Sequence, residues 1–180
     1  DKISAFSGVA KDAVVLLHNA ETVFQVPLLI AASGINDVLT KFTGNESVPD
    51  LAKWKKIIEA QTAKHDKIVT VGLVAKYMDN EDTYISVLEA LKAAAWQENV
   101  GLKIQWINAE SCERSDFEPV DALLVPGGFG NRGIPGKIAA ADYALETGKP
   151  YLGICLGLQV AVIAAARRAG LSDANSGEFD

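Results

Sequence analysis

Histidine and cysteine are scarce in this chain of 180 residues, with two of each. Cys112 and Cys155 have no metal-type spacing and form no disulfide framework, which excludes a zinc-ribbon or disulfide-stapled secreted scaffold. A reducing cytoplasm is the simplest compartment. No lysine- or arginine-rich stripe offsets the formal net charge of −6, so no nucleic-acid partner is expected. The densest basic cluster, residues 53–56, encloses Trp54 and reads as a solvated helix face. No apolar run approaches the roughly 18 residues of a membrane span. The opening Asp1-Lys2-Ile3-Ser4 does not resemble a signal peptide, and no membrane contact is expected. Repeats and low-complexity tracts are also missing. An initiator methionine is absent and the chain stops at Glu178-Phe179-Asp180, which gives the expectation of an excerpt from a longer protein.

What is present is an apolar fraction of 49% and a charged fraction of 22%, ample for a packed core. The pattern changes character along the chain. Residues 14–17 form a short β-branched run of the kind found in buried strands. Residues 22–33 read as a helix interrupted by Pro27, residues 36–42 as a shorter helix, and residues 44–49 as a loop. Residues 50–63 read as an amphipathic helix with Leu51, Trp54, Ile57 and Ile58 at helical spacing. The polar stretch 61–66 is expected to link a first region, 1–60, to a second, 67–180. In the second region strands at 68–74, 102–107, 122–125 and 151–154 alternate with helices at 82–99, 134–147 and 156–169. That alternation predicts an α/β fold, a mostly parallel sheet with helices on both faces and right-handed crossovers. Active sites of such sheets gather at the carboxyl ends of the strands. Trp54, Trp96 and Trp106 read as packing residues.

The segment richest in chemistry is Gly153-Ile154-Cys155-Leu156-Gly157, a cysteine version of the Gly-x-nucleophile-x-Gly elbow. It follows a predicted strand and opens a predicted helix. A sharp strand-to-helix turn leaves no room for side chains beside the nucleophile, hence the glycines. The turn would lift the Cys155 sulfur above the sheet, where backbone N–H groups of the helix start favour negative charge. A second segment, Val125-Pro126-Gly127-Gly128-Phe129-Gly130, follows another predicted strand. A Gly-Gly step there lets N–H groups turn outward, as an oxyanion receptor needs. One loop supplying a nucleophile and the other an N–H donor points to acyl transfer from an amide or ester. A cysteine nucleophile needs a base, usually histidine. His18 lies in the first region and His65 in the linker, and neither is placed beside Cys155, so the base is expected beyond Asp180.

Taken together these residues resemble the class I (triad-type) glutamine amidotransferases, through Gly153-Ile-Cys-Leu-Gly-Leu-Gln159 and Pro126-Gly-Gly128. Further blocks across the whole chain sharpen the resemblance to the CTP synthase family. They are Lys2-Ile3-Ser4, Val26-Pro27-Leu28-Leu29, Gly72-Leu-Val-Ala-Lys-Tyr77, Tyr84-x-Ser86-Val-x-Glu89-Ala90-Leu91, Leu124-Val-Pro-Gly-Gly-Phe-Gly130, Arg132-Gly133, Gly136-Lys137 and Ala174-Asn-Ser-Gly-Glu-Phe179. The resemblance implies that residues 1–60 end a P-loop-type α/β synthase domain and that 67–180 begin a glutaminase domain. The whole enzyme would aminate UTP to CTP with ATP and magnesium, using ammonia released from glutamine and carried through an internal tunnel. Cys155 would be the nucleophile, with Gly128 and Leu156 offering oxyanion and backbone contacts. Gln159 and Glu178 would hold the α-amino and α-carboxylate end of glutamine, Phe129 would line the glutamine pocket, and Gly157 and Leu158 would complete that subsite. Lys2 would contact UTP or the feedback inhibitor CTP, and Ala20 would lie by the adenine.

The resemblance also implies a cytoplasmic homotetramer of the full-length protein, GTP as an allosteric activator, and magnesium ligands and a phosphate-binding loop before Asp1. By itself this chain is then expected to be inactive. Three segments depart from the family pattern: Ala75 where glycine is usual, Leu158 where methionine is usual, and Asn19-Ala20-Glu21 where an Asp-Val-Asp or Asp-Val-Ser type is usual. Two alternatives stay open, the glutaminase domain of a different class I amidotransferase and a catalytically inactive relative with a structural role.

Overall fold

The computed structural model describes residues 1–76 and 81–179, so Tyr77 and Asp180 of the quoted blocks lie outside the described residues. The chain divides into two compact units, Asp1–Lys64 and His65–Asp180.

The first unit is helical. It contains α1 (Lys2–Ser7), α2 (Val26–Ala32), α3 (Ile35–Thr43) and α4 (Ala52–Thr62). Residues 14–17, expected as a strand, are irregular instead, with Leu16 and Leu17 exposed. A strand needs a neighbour to complete its ladder, and among the described residues this unit contains no strand to pair with it. Pro27 does not interrupt a helix. A short 3₁₀ turn, Val23–Gln25, precedes α2, and Pro27 sits in the first turn of α2, where its missing N–H has no helical acceptor to lose. Trp54 of α4 lies 6.3 Å from the Phe24 ring, centroid to centroid. None of these four helices buries a residue completely. No single helix among the described residues is long and apolar enough to cross a membrane.

The second unit is an α/β layer structure built from β1 (Ile68–Ala75), α5 (Ile85–Gln97), β2 (Gly101–Asn108), β3 (Ala122–Val125), α6 (Ile134–Thr147), β4 (Tyr151–Gly153) and α7 (Leu156–Arg168). The strands pair in parallel in the order β2-β1-β3-β4. The helix expected over 82–99 is shorter, because a 3₁₀ turn at Glu81–Tyr84 leads into α5 and Asn99 turns to positive φ after it. One sheet face carries Val74, Leu123 and Val125 against Ile138 of α6 and Val160 of α7. The other carries Val71, Leu73 and Leu124 against Leu88 of α5. Continuous apolar strands buried on both faces are what a parallel sheet requires. Trp106 is half-buried, with its ring 5.9 Å from that of Tyr84. Ala75 is buried without positive φ, so the turn after β1 has no need of glycine there.

Sheet order reverses between β1 and β3, since β1 connects outward to β2 while β3 starts on its other side. The carboxyl ends of these two strands therefore flank a crevice, the usual ligand position in open α/β sheets.

Candidate active site

Cys155 stands between the end of β4 and the first turn of α7, with φ 53° and ψ −109°. This conformation is costly for a residue with a Cβ and persists only where the surroundings enforce it. The glycines on either side do the enforcing. A Cβ on Gly157 would fall 2.0 Å from the Val125 carbonyl oxygen, and one on Gly153 would fall 2.5 Å from the Gly157 carbonyl carbon. Only hydrogen at both positions lets α7 start hard against the sheet. The Tyr151 hydroxyl donates to the Gly157 carbonyl at 2.7 Å, and the Gly157 N–H donates to the Ile154 carbonyl at 2.9 Å. Burial pushes the Tyr151 phenol far up, so it stays a donor at ordinary pH. The outcome is an exposed Cys155 thiol, whereas Cys112 is half-buried and burial pushes its thiol up.

The loop after β3 lies beside the sulfur. A Cβ on Gly127 would stand 3.5 Å from the Cys155 Cβ and 3.9 Å from its Sγ. The Gly127 and Gly128 N–H groups donate to no protein acceptor among the described residues. The Leu156 N–H opens α7 and has no helical acceptor. The exposed Cys155 thiol thus borders a loop whose Gly127 and Gly128 N–H groups meet no acceptor among the described residues, an arrangement that an oxyanion receptor would use.

Two lysines, for which the motifs suggested no role at this site, fix this loop from the protein side. Lys76, just past β1, donates to the carbonyls of Phe129 at 2.9 Å and Gly130 at 3.2 Å. Burial lowers its pKa, with Arg132 adding to the effect and Glu110 opposing it. Lys137, in the first turn of α6, is completely buried and donates to the Pro126 carbonyl at 3.2 Å. Burial, seconded by Lys76, pushes it down to about 8, with Cys155 pulling the other way. The sequence signal was there to read. Lys137 stands on the same helix face as Ala140, Ala141 and Ala144, all buried, so it is a charge placed in an apolar stripe.

The other site residues expected from the sequence are distributed unevenly. Phe129, largely exposed, lines a cleft of about 370 Å³ together with Lys76, Thr83, Tyr84, Gly127 and Gly128. This cleft lies at the β1/β3 crevice. Gln159 is exposed one turn beyond Cys155, its N–H donating to the Cys155 carbonyl at 3.2 Å. Leu158 is exposed, consistent with a position where leucine replaces methionine freely. Glu178 is also exposed and makes no ion pair with another described residue. Its segment is held to α7, where Arg167 Nε donates to the Ala174 carbonyl at 2.8 Å, and Phe179 packs on the core. In the first unit Lys2 is exposed on α1 and Ala20 is half-buried.

His65 cannot serve Cys155. It packs against Gly101 at the amino end of β2, while Cys155 is at the carboxyl edge, roughly 25 Å away at 3.3 Å per strand residue.

The sequence model of the family described as Glutamine amidotransferase class-I matches residues 80–177. The chain belongs to the class I glutamine amidotransferases. As an amidotransferase it is similar over its whole length to curated CTP synthases. It is 45% identical to that of Roseiflexus castenholzii, with 100% of this chain and 34% of the relative covered. It is 44% identical to that of Carboxydothermus hydrogenoformans, with 99% and 34% covered. Among solved structures, the glutaminase domain of Trypanosoma brucei CTPS with bound acivicin superposes with a TM-score of 0.59 at 42% identity, covering 62% of this chain and 46% of that one. The chain spans about a third of the length of the curated relatives it matches.

Proposed function

We propose that this amidotransferase chain is the part of a CTP synthase that ends the synthase domain and begins the glutaminase domain, with Cys155 as the glutamine-hydrolysing nucleophile. The observation that supports it most is the strained Cys155 elbow beside the unengaged N–H groups of Gly127 and Gly128. Similarity to CTP synthases extends through residues 1–64 as well, which favours this parent over another amidotransferase.

In this reading Cys155 Sγ attacks the side-chain carbonyl carbon of glutamine. The carbonyl oxygen becomes an oxyanion facing the N–H groups of Gly128 and Leu156, and collapse expels ammonia to leave a γ-glutamyl thioester. Water then cleaves the thioester, releasing glutamate and the thiol. The proton transfers need a base, and His65, at the amino end of β2, does not supply it. Phe129, Gly157, Leu158, Gln159 and Glu178 would form the glutamine subsite. Ammonia would pass to UTP, whose 4-oxygen ATP and magnesium activate. Lys2 would contact UTP or the inhibitor CTP, and Ala20 the adenine. GTP activation, a homotetramer and a cytoplasmic setting belong to the same proposal. Among the described residues no group of three or more His, Cys, Asp or Glu side chains is placed to hold a metal ion.

The test is CTP formation by the full-length parent with glutamine or ammonium as donor, comparing wild type with Cys155→Ala. Loss of the glutamine-dependent activity alone supports the proposal. A folded wild type that makes no CTP from either donor refutes it.

A further inference from the structure

Lys137 carries a charge to which the steps of glutamine hydrolysis at Cys155 give no role. It reaches its position because α6 descends on the turn after β2. A Cβ on Gly136 would fall 2.1 Å from the Ala109 carbonyl oxygen, so a larger residue would lift that helical turn away. Lys137 is then enclosed, its ammonium donating to the Pro126 carbonyl at 3.2 Å. An ammonium has three N–H donors, and this is its single hydrogen bond among the described residues. The same nitrogen lies 3.5 Å from where a Cβ on Gly128 would stand. It is therefore directly beneath the loop that borders the Cys155 sulfur.

The direction of the bond matters as much as the charge. In a trans peptide the carbonyl and the following N–H point opposite ways. Fixing the Pro126 carbonyl inward on Lys137 therefore turns the Gly127 N–H to the other side. Lys76 holds the Phe129 and Gly130 carbonyls in the same manner. Burying an ammonium-sized charge with one acceptor costs stability unless another interaction offsets it. A packing role would be met as well by methionine, which has similar length and no desolvation cost. The titratable groups facing Lys137 are Lys76, from the end of β1, and Cys155, from the elbow.

We propose that Lys137 is a positioning residue of the glutaminase site: it holds the Pro126 carbonyl inward so that the Gly127 N–H faces outward, and it sets a positive charge beneath the sulfur anion and the oxyanion. This rests on the proposed hydrolysis of glutamine at Cys155. The depressed pKa of about 8 adds a signature, since the charge is present below that pH and lost above it.

The test uses the full-length parent as wild type, Lys137→Met and Lys137→Gln. Glutamate release from glutamine is followed across the pH range, and Cys155 alkylation by iodoacetamide is followed by peptide mass. The Met variant should lose about 10- to 100-fold in kcat, with KM changed far less, as removal of oxyanion stabilisation does. Its Cys155 should alkylate several-fold more slowly. Wild-type kcat should decline as pH rises through about 8, and the Met variant should lack that limb. A folded Met variant with wild-type kcat, pH profile and alkylation rate overturns the proposal. If Lys137→Met fails to fold, Lys137→Gln decides by the same readings, because it keeps a donor for Pro126 and drops only the charge. A wild type that releases no glutamate contradicts the hydrolysis reading instead, and the alkylation comparison still judges Lys137.

Discussion

Phe6 and Phe42, in the first unit, are 92% and 90% exposed, while Phe117, in the second, is 1% exposed with its ring centroid 5.6 Å from that of Tyr143. Both units carry apolar side chains in abundance, and both contain amphipathic helices. The difference is the sheet. In His65–Asp180 the parallel strands offer two apolar faces, and α5, α6 and α7 each have one to cover. In Asp1–Lys64 the described helices are 6 to 11 residues long, and none of them buries a residue within this chain. Spacing of apolar residues says which face of an element wants cover. It does not say whether cover is available.

The largest effect expected from sharpening that contrast is at Gly157. Gly157→Ala would drive a Cβ into the Val125 carbonyl and should cost more than about 4 kcal/mol in thermal denaturation, along with glutamate release. Gly44→Ala in the first unit meets nothing within 4 Å and suffers only its φ of 69°, so it should cost about 1 kcal/mol. Next comes the phenylalanine pair. Phe117→Ala should destabilise by about 3–5 kcal/mol, and Phe6→Ala should stay within about 0.5 kcal/mol in the same assay. Equal losses for the two would erase the contrast. In hydrogen exchange of this 180-residue chain, amides of β1 and β3 should be protected far longer than those of α1 to α3.

A small effect on stability is expected where the effect on activity is large. Lys137→Met removes a buried charge, which is favourable, and strands the Pro126 carbonyl, which is not, so the net should lie within about 1 kcal/mol at neutral pH. The sign of the pH dependence follows from the lowered pKa. The folded chain releases the Lys137 proton near pH 8, and the unfolded chain keeps it into the ordinary lysine range. Wild type should therefore gain stability relative to Lys137→Met as pH rises from about 8 towards about 10. A widening deficit over that range would contradict the buried-charge account.

The sheet and the elbow were legible in the sequence because each leaves a local mark. Strand runs at 68–74 and 122–125 end at turn signals, and the glycines flanking Cys155 announce a close approach. Residues 14–17 misled because a β-branched run reports only that a strand is possible, and its pairing depends on distant chain. Pro27 misled for a related reason, since proline suits the first turn of a helix as well as a break. Lys137 went without a role because a lysine ordinarily marks a solvated face. Its place on the alanine-lined side of α6 was the contrary sign, but the acceptor it meets, Pro126, is supplied by tertiary structure alone.

The most direct check on the central claim is covalent capture by a glutamine analogue with an electrophilic carbon at the side-chain end, applied to the full-length parent and read by peptide mass. A single adduct on Cys155, prevented by excess glutamine, is the expected outcome. Capture at Cys112, or no adduct while glutamine is still hydrolysed, would contradict it.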